Sequence, residues 1–416
     1  MRSEIKTPPL WVVPSLCAIT LLPRLFLLLV GERHFQTFEY EVIANNILAG
    51  SGFGLEHYGT WYKTFGSPPF SFLCALVYKI SGHSSLLLMG VQACFSLITV
   101  MGCYSLGRRM FSVRVGFLAG VLAALHPGLL FYDTHKIHPL SFDAALATSG
   151  ILMIVAMRGR ESWRRSIQAG LLHGLAIFER STFVGLFFLT LFSCARRKNG
   201  ASLLRVVVPY VISVGVVFSP WVVRNIFLFR RPVVVTTTSA EVFWRGNNSI
   251  ATGGAYAPGK PGEALFDAAP EEFRARILGK PELTQSQIFA RAAMEFITEH
   301  PMRALTLYGK KLVAFCWFAP DSGYFYPPIY LVIYKFYYSV VLICSFVGMA
   351  AVCRGMNESQ RWTSLFVIYF MIGVALLQSS FYVEIRHRWG IEPLLLICAA
   401  QGALCLKSRL SRNPRC

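Results

Sequence analysis

Residues 9–30 read PLWVVPSLCAITLLPRLFLLLV, an apolar run that is long enough to cross a lipid bilayer as a helix. No small-residue cleavage site follows it, so we interpret the run as an uncleaved span rather than a signal peptide. Nine further apolar runs follow along the chain. The ten runs cover 9–30, 84–106, 113–131, 139–157, 167–179, 180–195, 203–226, 328–352, 362–381 and 389–406. The sequence therefore predicts an all-α polytopic membrane protein of about ten transmembrane helices.

The composition supports this class and excludes others. Hydrophobic residues make up 54% of the 416 residues and charged residues only 15%, whereas a soluble domain carries about 25% charged residues. The net charge is +19, but the basic residues are scattered between apolar runs, which argues against binding to nucleic acid. Most of the eleven cysteines lie inside apolar runs, so the sequence predicts neither a disulfide framework nor a zinc site.

Basic residues predict the orientation of the spans, because short cytoplasmic loops are enriched in Lys and Arg. With ten spans and a cytoplasmic N-terminus, every short basic cluster falls in the cytoplasm. If 167–179 and 180–195 formed one helix, several clusters would lie outside. The prediction is one membrane domain over 1–406, a cytoplasmic tail over 407–416, and two long outer segments at 31–83 and 227–327.

The outer segments are predicted to carry short and interfacial helices. The string FEYEVIANNILAGSGF (38–53) has a helical packing stripe that ends at Gly50. Residues 68–81 are apolar but too short to span, so we expect them to lie along the membrane interface. Residues 285–300 form an amphipathic pattern that Pro301 should end, and 302–319 follow as a shallow apolar helix.

Polar side chains collect at the predicted outer face, where charges near the apolar layer mark function. Glu39 and Glu41 lie in the first outer segment, as solvated carboxylates or as groups that lean into a cavity. The loop YDTHKIHP (132–139), with Asp143 just after it, contains side chains that could hold a metal or a phosphate. Glu179 and Arg180 could neutralise each other, or Arg180 could reach an anionic ligand.

Further polar clusters follow at the outer ends of later spans. In SPWVVRN (219–225), Arg224 is explained by snorkelling at the membrane interface. The string WRGNN (244–248) suits a turn that binds sugar or phosphate. RHRWGIEP (386–393) places two arginines at the headgroup level, where bidentate phosphate binding and lipid contact both remain open. The convergence of these clusters on one face predicts a site at that face.

These pieces together resemble the GT-C membrane glycosyltransferases, in particular the bacterial branch similar to family 39 protein mannosyltransferases and lipid A aminoarabinose transferases. The resemblance covers nearly the whole chain. Its motifs are EYxxIAxNxLxGxGF at 39–53, Pro-Pro at 68–69, Gly-Leu-Ala to Glu-Arg-Ser at 174–181, SPWVVRN, GNN at 246–248, HP at 300–301 and RHR to EP near the end. The resemblance implies an inverting transfer of a sugar from a polyprenyl-phosphate donor to an acceptor hydroxyl.

The resemblance also implies roles for individual residues. The family's first-loop carboxylate is best matched by Glu39 and next by Glu41, since the common Asp is replaced by Gln36 and Thr37. Asp133 is the second expected catalytic acid. The expected donor-phosphate ligands are Arg180, Arg224, Arg386 and Arg388. The expected substrate-binding residues are Tyr40, His135, His138, Asn225, Arg245, Asn247 and His387.

The expected partners are a polyprenyl-phosphate sugar, with undecaprenyl phosphate as the bacterial carrier, a glycan, lipid or protein acceptor, and the bilayer itself. No cofactor is certain, and a divalent metal at Asp133 and His135 is left open. The implied location is the bacterial inner membrane, with the active site facing the periplasm or exterior. The alternative is a transporter or flippase of lipid-linked sugars, against which the absence of sequence repeats argues.

Overall fold

The computed structural model describes residues 9–31, 38–159, 162–195, 203–318, 326–352 and 356–410. Helices dominate these residues, and the strands among them form two short antiparallel hairpins. The helices are α1 (Val12–Val30), α2 (Glu39–Leu48), α3 (Pro68–Ser81), α4 (Ser85–Met110), α5 (Val113–Ala124), α6 (Pro127–His135), α7 (Leu140–Gly159), α8 (Trp163–Glu179), α9 (Gly185–Ala195), α10 (Val208–Phe229), α11 (Ser239–Gly246), α12 (Glu271–Ile277), α13 (Glu282–Glu299), α14 (Pro301–Cys316), α15 (Pro328–Ala351), α16 (Glu358–Gln378), α17 (Arg386–Trp389) and α18 (Glu392–Leu410). The hairpins pair β1 (Leu55–His57) with β2 (Thr60–Tyr62), and β3 (Tyr256–Ala257) with β4 (Lys260–Ala264).

Seven helices of the described ranges are long and apolar enough to cross a bilayer, namely α1, α4, α7, α10, α15, α16 and α18. The pair α5 and α6 would form an eighth span with a bend of 44°. The predicted all-α polytopic membrane fold is therefore confirmed. The count of about ten is not confirmed, because α8 has 17 residues and the apolar segment Ser181–Ala195 is also short.

The bend between α5 and α6 has a local cause. Pro127 opens α6 and has no backbone N–H to continue the hydrogen bonds of α5. The Nδ1 atom of His126 accepts a hydrogen bond from the backbone N–H of Leu129 at 3.1 Å and so caps the new helix. The short helix α6 leads directly into the loop that carries Lys136 and His138.

Glycines let several membrane helices pack backbone to backbone. A Cβ at Gly348 of α15 would lie 1.9 Å from the carbonyl oxygen of Cys398, and one at Gly402 of α18 would lie 1.9 Å from that of Cys344. Small residues at such crossings are typical of membrane helices, where close packing replaces the hydrophobic effect between helices. The pair α15 and α18 therefore holds the C-terminal segment, which includes Arg386, firmly against the bundle.

The two predicted outer segments contact each other and form a single cap. The carboxylate of Glu282 in α13 accepts hydrogen bonds from the backbone N–H groups of Lys63 at 2.7 Å and Thr64 at 3.1 Å. The backbone N–H of Gly279 donates to the carbonyl of Tyr58 at 2.9 Å. These contacts join the β1–β2 hairpin to the second outer segment.

The helices predicted inside these segments are present. The string at 38–53 forms α2, and Gly50 beyond its end has a φ of +81° that glycine tolerates. The expected interfacial segment 68–81 is α3, whose exposed Phe72, Leu76 and Ile80 form an apolar stripe. The amphipathic pattern at 285–300 lies in α13, and α14 begins at Pro301.

Candidate active site

The site is built around Phe38, the residue that immediately precedes α2. The ring of Phe38 lies 5.7 Å from the ammonium of Lys136 and 6.0 Å from the guanidinium carbon of Arg386. The ring of His138 packs edge-on against Phe38, with 5.2 Å between the centroids. Residues from the first outer segment, the α6–α7 loop and the C-terminal segment therefore meet at one place. We call Phe38, Lys136, His138, Arg180 and Arg386 the Phe38 cluster.

Lys136 is enclosed by aromatic rings from several segments. Its ammonium lies 5.1 to 5.7 Å from the ring centroids of Phe38, Phe131, Tyr132 and Tyr326. Burial and the nearby charge of Arg386 lower the pKa of Lys136 to about 8, against the opposing effect of Glu384. Aromatic rings stabilise a cation without neutralising it, and the Lys136 ammonium lies among four such rings.

Arg386 lies beside a carboxylate but keeps part of its surface open. Its Nη2 atom is 2.7 Å from a carboxylate oxygen of Glu384, and its side chain is 21% exposed. Burial alone would lower the pKa of Arg386, but the Glu384 carboxylate and the neighbouring tyrosines raise it well above its usual value. Arg386 is therefore a fixed cation that still faces the site.

Arg180 ties three elements together next to this group. Its Nη1 atom donates to Asp143 at 2.7 Å and its Nη2 atom donates to the carbonyl of His387 at 2.7 Å. Glu179 does not pair with Arg180 and instead accepts a hydrogen bond from the backbone N–H of Phe70 at 3.0 Å. The carboxylate of Asp143 is thus paired with Arg180.

His138 lies in the wall of the site. Its Nδ1 atom is buried and has no hydrogen-bond partner among the described residues. Burial, followed by the charges of Arg386, Arg180 and Lys136, lowers the pKa of His138 well below its usual value. A neutral imidazole of this kind can accept a hydrogen bond from a hydroxyl group.

The two acidic candidates of the first outer segment have different surroundings. Glu39 is half-buried as the first residue of α2. Burial and the charge of Glu39 raise the pKa of Tyr40 well above its usual value, while Arg386 acts in the opposite direction. In contrast, Glu41 accepts a hydrogen bond from the hydroxyl of Tyr78 in α3. Because Glu39 directly follows Phe38 in the chain, whereas Glu41 is bonded to α3, we count Glu39 with the Phe38 cluster.

Asp133 does not lie in the site as predicted. Its carboxylate forms a fully buried ion pair with the Nε atom of Arg24 in α1 at 2.7 Å and also accepts from Ser96 of α4 at 2.5 Å. The Nδ1 atom of His135 lies 2.7 Å from the Thr134 hydroxyl, and its ring stacks on Phe131. Asp133 and His135 thus do not form a ligand pair, and the described residues contain no group of three or more His, Cys, Asp or Glu that could hold a metal.

Two of the predicted phosphate ligands are also engaged elsewhere. Arg224 lies over Trp221 at 4.4 Å and donates to the carbonyl of Lys63 at 3.1 Å, near the rim of the cap. Arg388 is almost completely buried, and its Nε atom lies 3.2 Å from Glu392. The proposed direct contact of Arg224 and Arg388 with a donor phosphate is therefore not supported by their positions.

The remaining predicted substrate ligands mostly support the backbone of the site. Asn225 donates to the carbonyl of Val233 at 2.8 Å. Asn247 donates to the carbonyl of Ser380 at 2.8 Å, which fixes the segment that leads to Arg386. The Nδ1 atom of His387 accepts from the backbone N–H of Glu384 at 3.2 Å, and Arg245 pairs with Glu241.

Three residues of the site were missed by the sequence analysis. Lys136 was assigned no role, although four aromatic or histidine side chains between 131 and 138 surround it in sequence. Glu384 pairs with Arg386. Tyr256, from the β3–β4 hairpin, hydrogen bonds with Glu384. No sequence signal links Tyr256 with Glu384, because 128 positions separate them.

Comparisons with known proteins agree with this architecture. The family model for dolichyl-phosphate-mannose-protein mannosyltransferase matches residues 66–223. No curated protein matches the sequence. The chain resembles the Archaeoglobus fulgidus oligosaccharyltransferase in complex with zinc and sulfate, with a TM-score of 0.58 and 13% identity. That match covers 97% of this chain and 50% of the other.

A second structure, the same archaeal enzyme AglB with an inhibitory peptide and a dolichol-phosphate, matches with a TM-score of 0.53 and 14% identity over 97% of this chain and 51% of that one. ArnT from Cupriavidus metallidurans, bound to undecaprenyl phosphate, matches at 15% identity over 97% of this chain and 80% of that one. Its TM-score of 0.46 carries no structural argument.

The family-model match and the archaeal structures confirm the resemblance to the GT-C superfamily. The chain has the GT-C membrane fold and is similar to mannosyltransferases over residues 66–223. It spans about half the length of the archaeal oligosaccharyltransferase structures that it matches.

Proposed function

We propose that the chain is an inverting glycosyltransferase that moves a sugar from a polyprenyl-phosphate donor to an acceptor hydroxyl. One observation carries the proposal: Lys136 and Arg386 flank Phe38, and the next residue is the half-buried acid Glu39. Cations and a carboxylate at one place are what phosphate departure and hydroxyl activation require. The matched family model, which names dolichyl-phosphate-mannose, and the dolichol-phosphate complex of AglB support this donor class.

The donor phosphate is bound by Arg386 and Lys136 in this proposal. Negative charge grows on the phosphate as its bond to the sugar breaks, so cations held in place beforehand favour the transition state over the ground state. The hydrogen bond of Glu384 to Tyr256 and its pairing with Arg386 orient the guanidinium. Arg180, fixed by Asp143 and the His387 carbonyl, adds positive potential behind the phosphate.

Glu39 acts as the general base. Its carboxylate removes the proton of the acceptor hydroxyl while the hydroxyl oxygen forms a bond to the anomeric carbon of the sugar. The bond between that carbon and the phosphate oxygen breaks in the same displacement, and the polyprenyl phosphate leaves with the electron pair. A single displacement of this kind inverts the anomeric centre. Tyr40 and the free Nδ1 of His138 lie where sugar hydroxyls would be bound.

The lipid part of the donor needs an apolar path to the phosphate residues. Phe131 and Tyr326, which enclose Lys136, also line a narrow apolar crevice between α6 and α15 with Tyr330, Leu331 and Trp389. We assign the first isoprene units to this crevice. The apolar spans place the reaction at a membrane, and we propose the periplasmic face of the bacterial inner membrane with undecaprenyl phosphate as the carrier. The acceptor class is a glycan, a lipid or a protein.

The paired variants Glu39→Gln and Glu41→Gln test the proposal. Both remove one carboxylate of α2, but only Glu39 belongs to the Phe38 cluster. With radiolabelled mannosyl undecaprenyl phosphate as the probe and native membranes as the acceptor source, Glu39→Gln should lower transfer by about 100-fold or more. Glu41→Gln should stay close to the wild-type rate. Full activity in Glu39→Gln, or equal losses in the two variants, would overturn the assignment of the base.

A further inference from the structure

A large cavity lies between the β3–β4 hairpin and the helix α14. Its volume is about 720 Å³, and it is bounded by the turn 252–261 and the helix α14. The turn is rich in glycine and proline, so its backbone forms much of the wall. The residues that line the cavity from α14 are Gly309, Lys310, Val313 and Ala314, and Phe318 closes one end.

The cavity shares a wall with the proposed active site. The carbonyl of Gly253 in the cavity lining accepts a hydrogen bond from the backbone N–H of Val383 at 2.9 Å. Tyr256, next to the lining residue Ala257, reaches through to Glu384, the partner of Arg386. A molecule in the cavity would therefore lie next to the segment that holds the donor phosphate.

The helix α14, which lines the cavity, also has exposed apolar side chains. Met302 and Leu305 are 73% and 63% exposed, and such a surface suits contact with acyl chains. Elsewhere α14 is anchored, because Lys311 is buried and donates to the carbonyl of Gly246 at 3.0 Å. A molecule in the cavity would therefore lie beside a helix whose surface suits contact with lipid.

The charges of the lining point to the chemistry of an occupant. Lys310 and Lys260 are among the lining residues, and the described part of the lining contains no carboxylate. Lys260 pairs with Glu263 at 3.0 Å, where the two side chains are 65% and 34% exposed, and pairs near the surface are weak. Ala257, Val313, Ala314 and Phe318 provide apolar walls. Apolar walls with a cationic rim complement an amphiphile that carries a negative headgroup.

We propose that this cavity is the acceptor site and that the acceptor is a membrane-anchored molecule with an anionic headgroup. The inference rests on the proposed function, because it identifies the second substrate of that reaction. The acyl chains lie against α14, and the headgroup lies between Lys310 and the 252–261 turn. The acceptor hydroxyl then approaches the Phe38 cluster past Tyr256.

Gly309 allows a direct test of the cavity. A Cβ built at Gly309 meets no atom within 4 Å, and the same holds for Gly373 of α16, which does not line the cavity. Gly309→Leu places a side chain in the cavity at a position where a Cβ meets no atom, and Gly373→Leu is a matched control on another helix. The probe is dioctanoyl phosphatidylglycerol, and its binding to the full chain in detergent is measured by native mass spectrometry.

Gly309→Leu and Lys310→Glu should each weaken binding of the anionic probe by at least tenfold, whereas Gly373→Leu and Lys310→Arg should bind it like the wild type. Dioctanoylglycerol, which lacks the phosphate, should bind the wild type at least tenfold more weakly. Unchanged binding in Gly309→Leu, or equal binding of the neutral lipid, would overturn the proposal. So would preferential binding of a soluble serine-containing peptide that Gly309→Leu abolishes.

Binding of undecaprenyl phosphate to the same variants separates this inference from the proposed function. Gly309→Leu should bind undecaprenyl phosphate like the wild type, because the proposed donor ligands are not among the residues that line the cavity. If Gly309→Leu weakened both lipids equally, the cavity would belong to the donor and the acceptor assignment would be wrong. None of these binding measurements depends on turnover, so a failed transfer assay leaves their interpretation unchanged.

Discussion

Two arginines that are one residue apart in the sequence, Arg386 and Arg388, have opposite surroundings. Arg386 belongs to the Phe38 cluster, where its side chain is 21% exposed and its neighbour Lys136 lies against aromatic rings. Arg388 is only 4% exposed and lies inside a network that we call the Glu392 network. In our proposal, the motif RHR therefore supplies one cation for a ligand and another for the fold.

The Glu392 network consists of His126, Tyr334, Arg388 and Glu392. Glu392 accepts from the Tyr334 hydroxyl at 2.6 Å and lies 3.2 Å from Arg388 and 3.1 Å from His126. Arg388 also donates to Tyr334 at 3.0 Å and stacks on Tyr338 at 3.8 Å. These side chains come from α6, α15, α17 and α18, so the network joins four elements. Its charges are compensated within the protein.

The charged side chains of the Phe38 cluster have different surroundings. The Lys136 ammonium lies among aromatic rings, the Nδ1 of His138 has no hydrogen-bond partner among the described residues, and Arg386 shares one carboxylate with Tyr256. A positive side chain in a poorly hydrated place attracts an anion more strongly than one in water, because the local dielectric constant is lower. The difference between the two regions therefore distinguishes a ligand site from a structural ion pair.

The largest effect that this comparison predicts is the loss of the Glu392 network. Arg388→Ala leaves the buried Glu392 without its cation, which should destabilise the fold by about 3–5 kcal/mol. Thermal unfolding of the purified protein, followed by size-exclusion chromatography, measures the change. The double variant Arg388→Met with Glu392→Leu should recover much of the stability. A stable Arg388→Ala variant with weak donor binding would show that the comparison is wrong.

A smaller effect on stability and a large effect on transfer are predicted for Arg386. Arg386→Met should remain folded, since its guanidinium is partly open, and should lower transfer roughly 100-fold by removing a preorganised cation. Arg224→Gln is the matched control, because Arg224 lies on Trp221 at the rim of the cap and should be dispensable for transfer. Steady-state rates with mannosyl undecaprenyl phosphate measure both variants. Equal losses of transfer in Arg386→Met and Arg224→Gln would contradict the assignment of Arg386 to the donor site and of Arg224 to the rim of the cap.

The smallest predicted effect is a pH dependence due to Lys136. Its lowered pKa of about 8 means that the free enzyme loses this positive charge as the pH rises through that value. The kcat/KM for the donor should therefore fall above pH 8 by roughly tenfold, the weight of one charged hydrogen bond. The donor is a phosphodiester and does not titrate in this range. Lys136→Met should give a lower rate without this step, and a step that persists in Lys136→Met would have another origin.

The sequence predicted the helical elements well, because their signals are local. Apolar length identifies the spans, and helical periodicity identified α2 and α13. The number of spans was harder, since α8 and Ser181–Ala195 are too short for length to decide. Asp133 was misassigned because its partner Arg24 lies 109 positions away within the first apolar run, where a buried ion pair leaves no sequence pattern.

The composition of the site was predictable only in part. The EY and RHR motifs identified Glu39 and Arg386, but the roles of Arg386 and Arg388 could not be separated. Their separation depends on Tyr334 and Tyr338 of α15, which enclose Arg388. Lys136 escaped notice for the same reason, since the rings around it come from distant segments. Tertiary packing, rather than motif spacing, decides which cation faces the ligand.

We propose that the Phe38 cluster binds the donor phosphate. Cryo-electron microscopy of the full chain in nanodiscs with undecaprenyl phosphate would show where the phosphate lies. We expect phosphate density within roughly 4 Å of both the Arg386 guanidinium and the Lys136 ammonium, and density for the lipid chain between α6 and α15. Phosphate density at Arg224 or in the cavity beside Gly309, with the Phe38 cluster unoccupied, would contradict it.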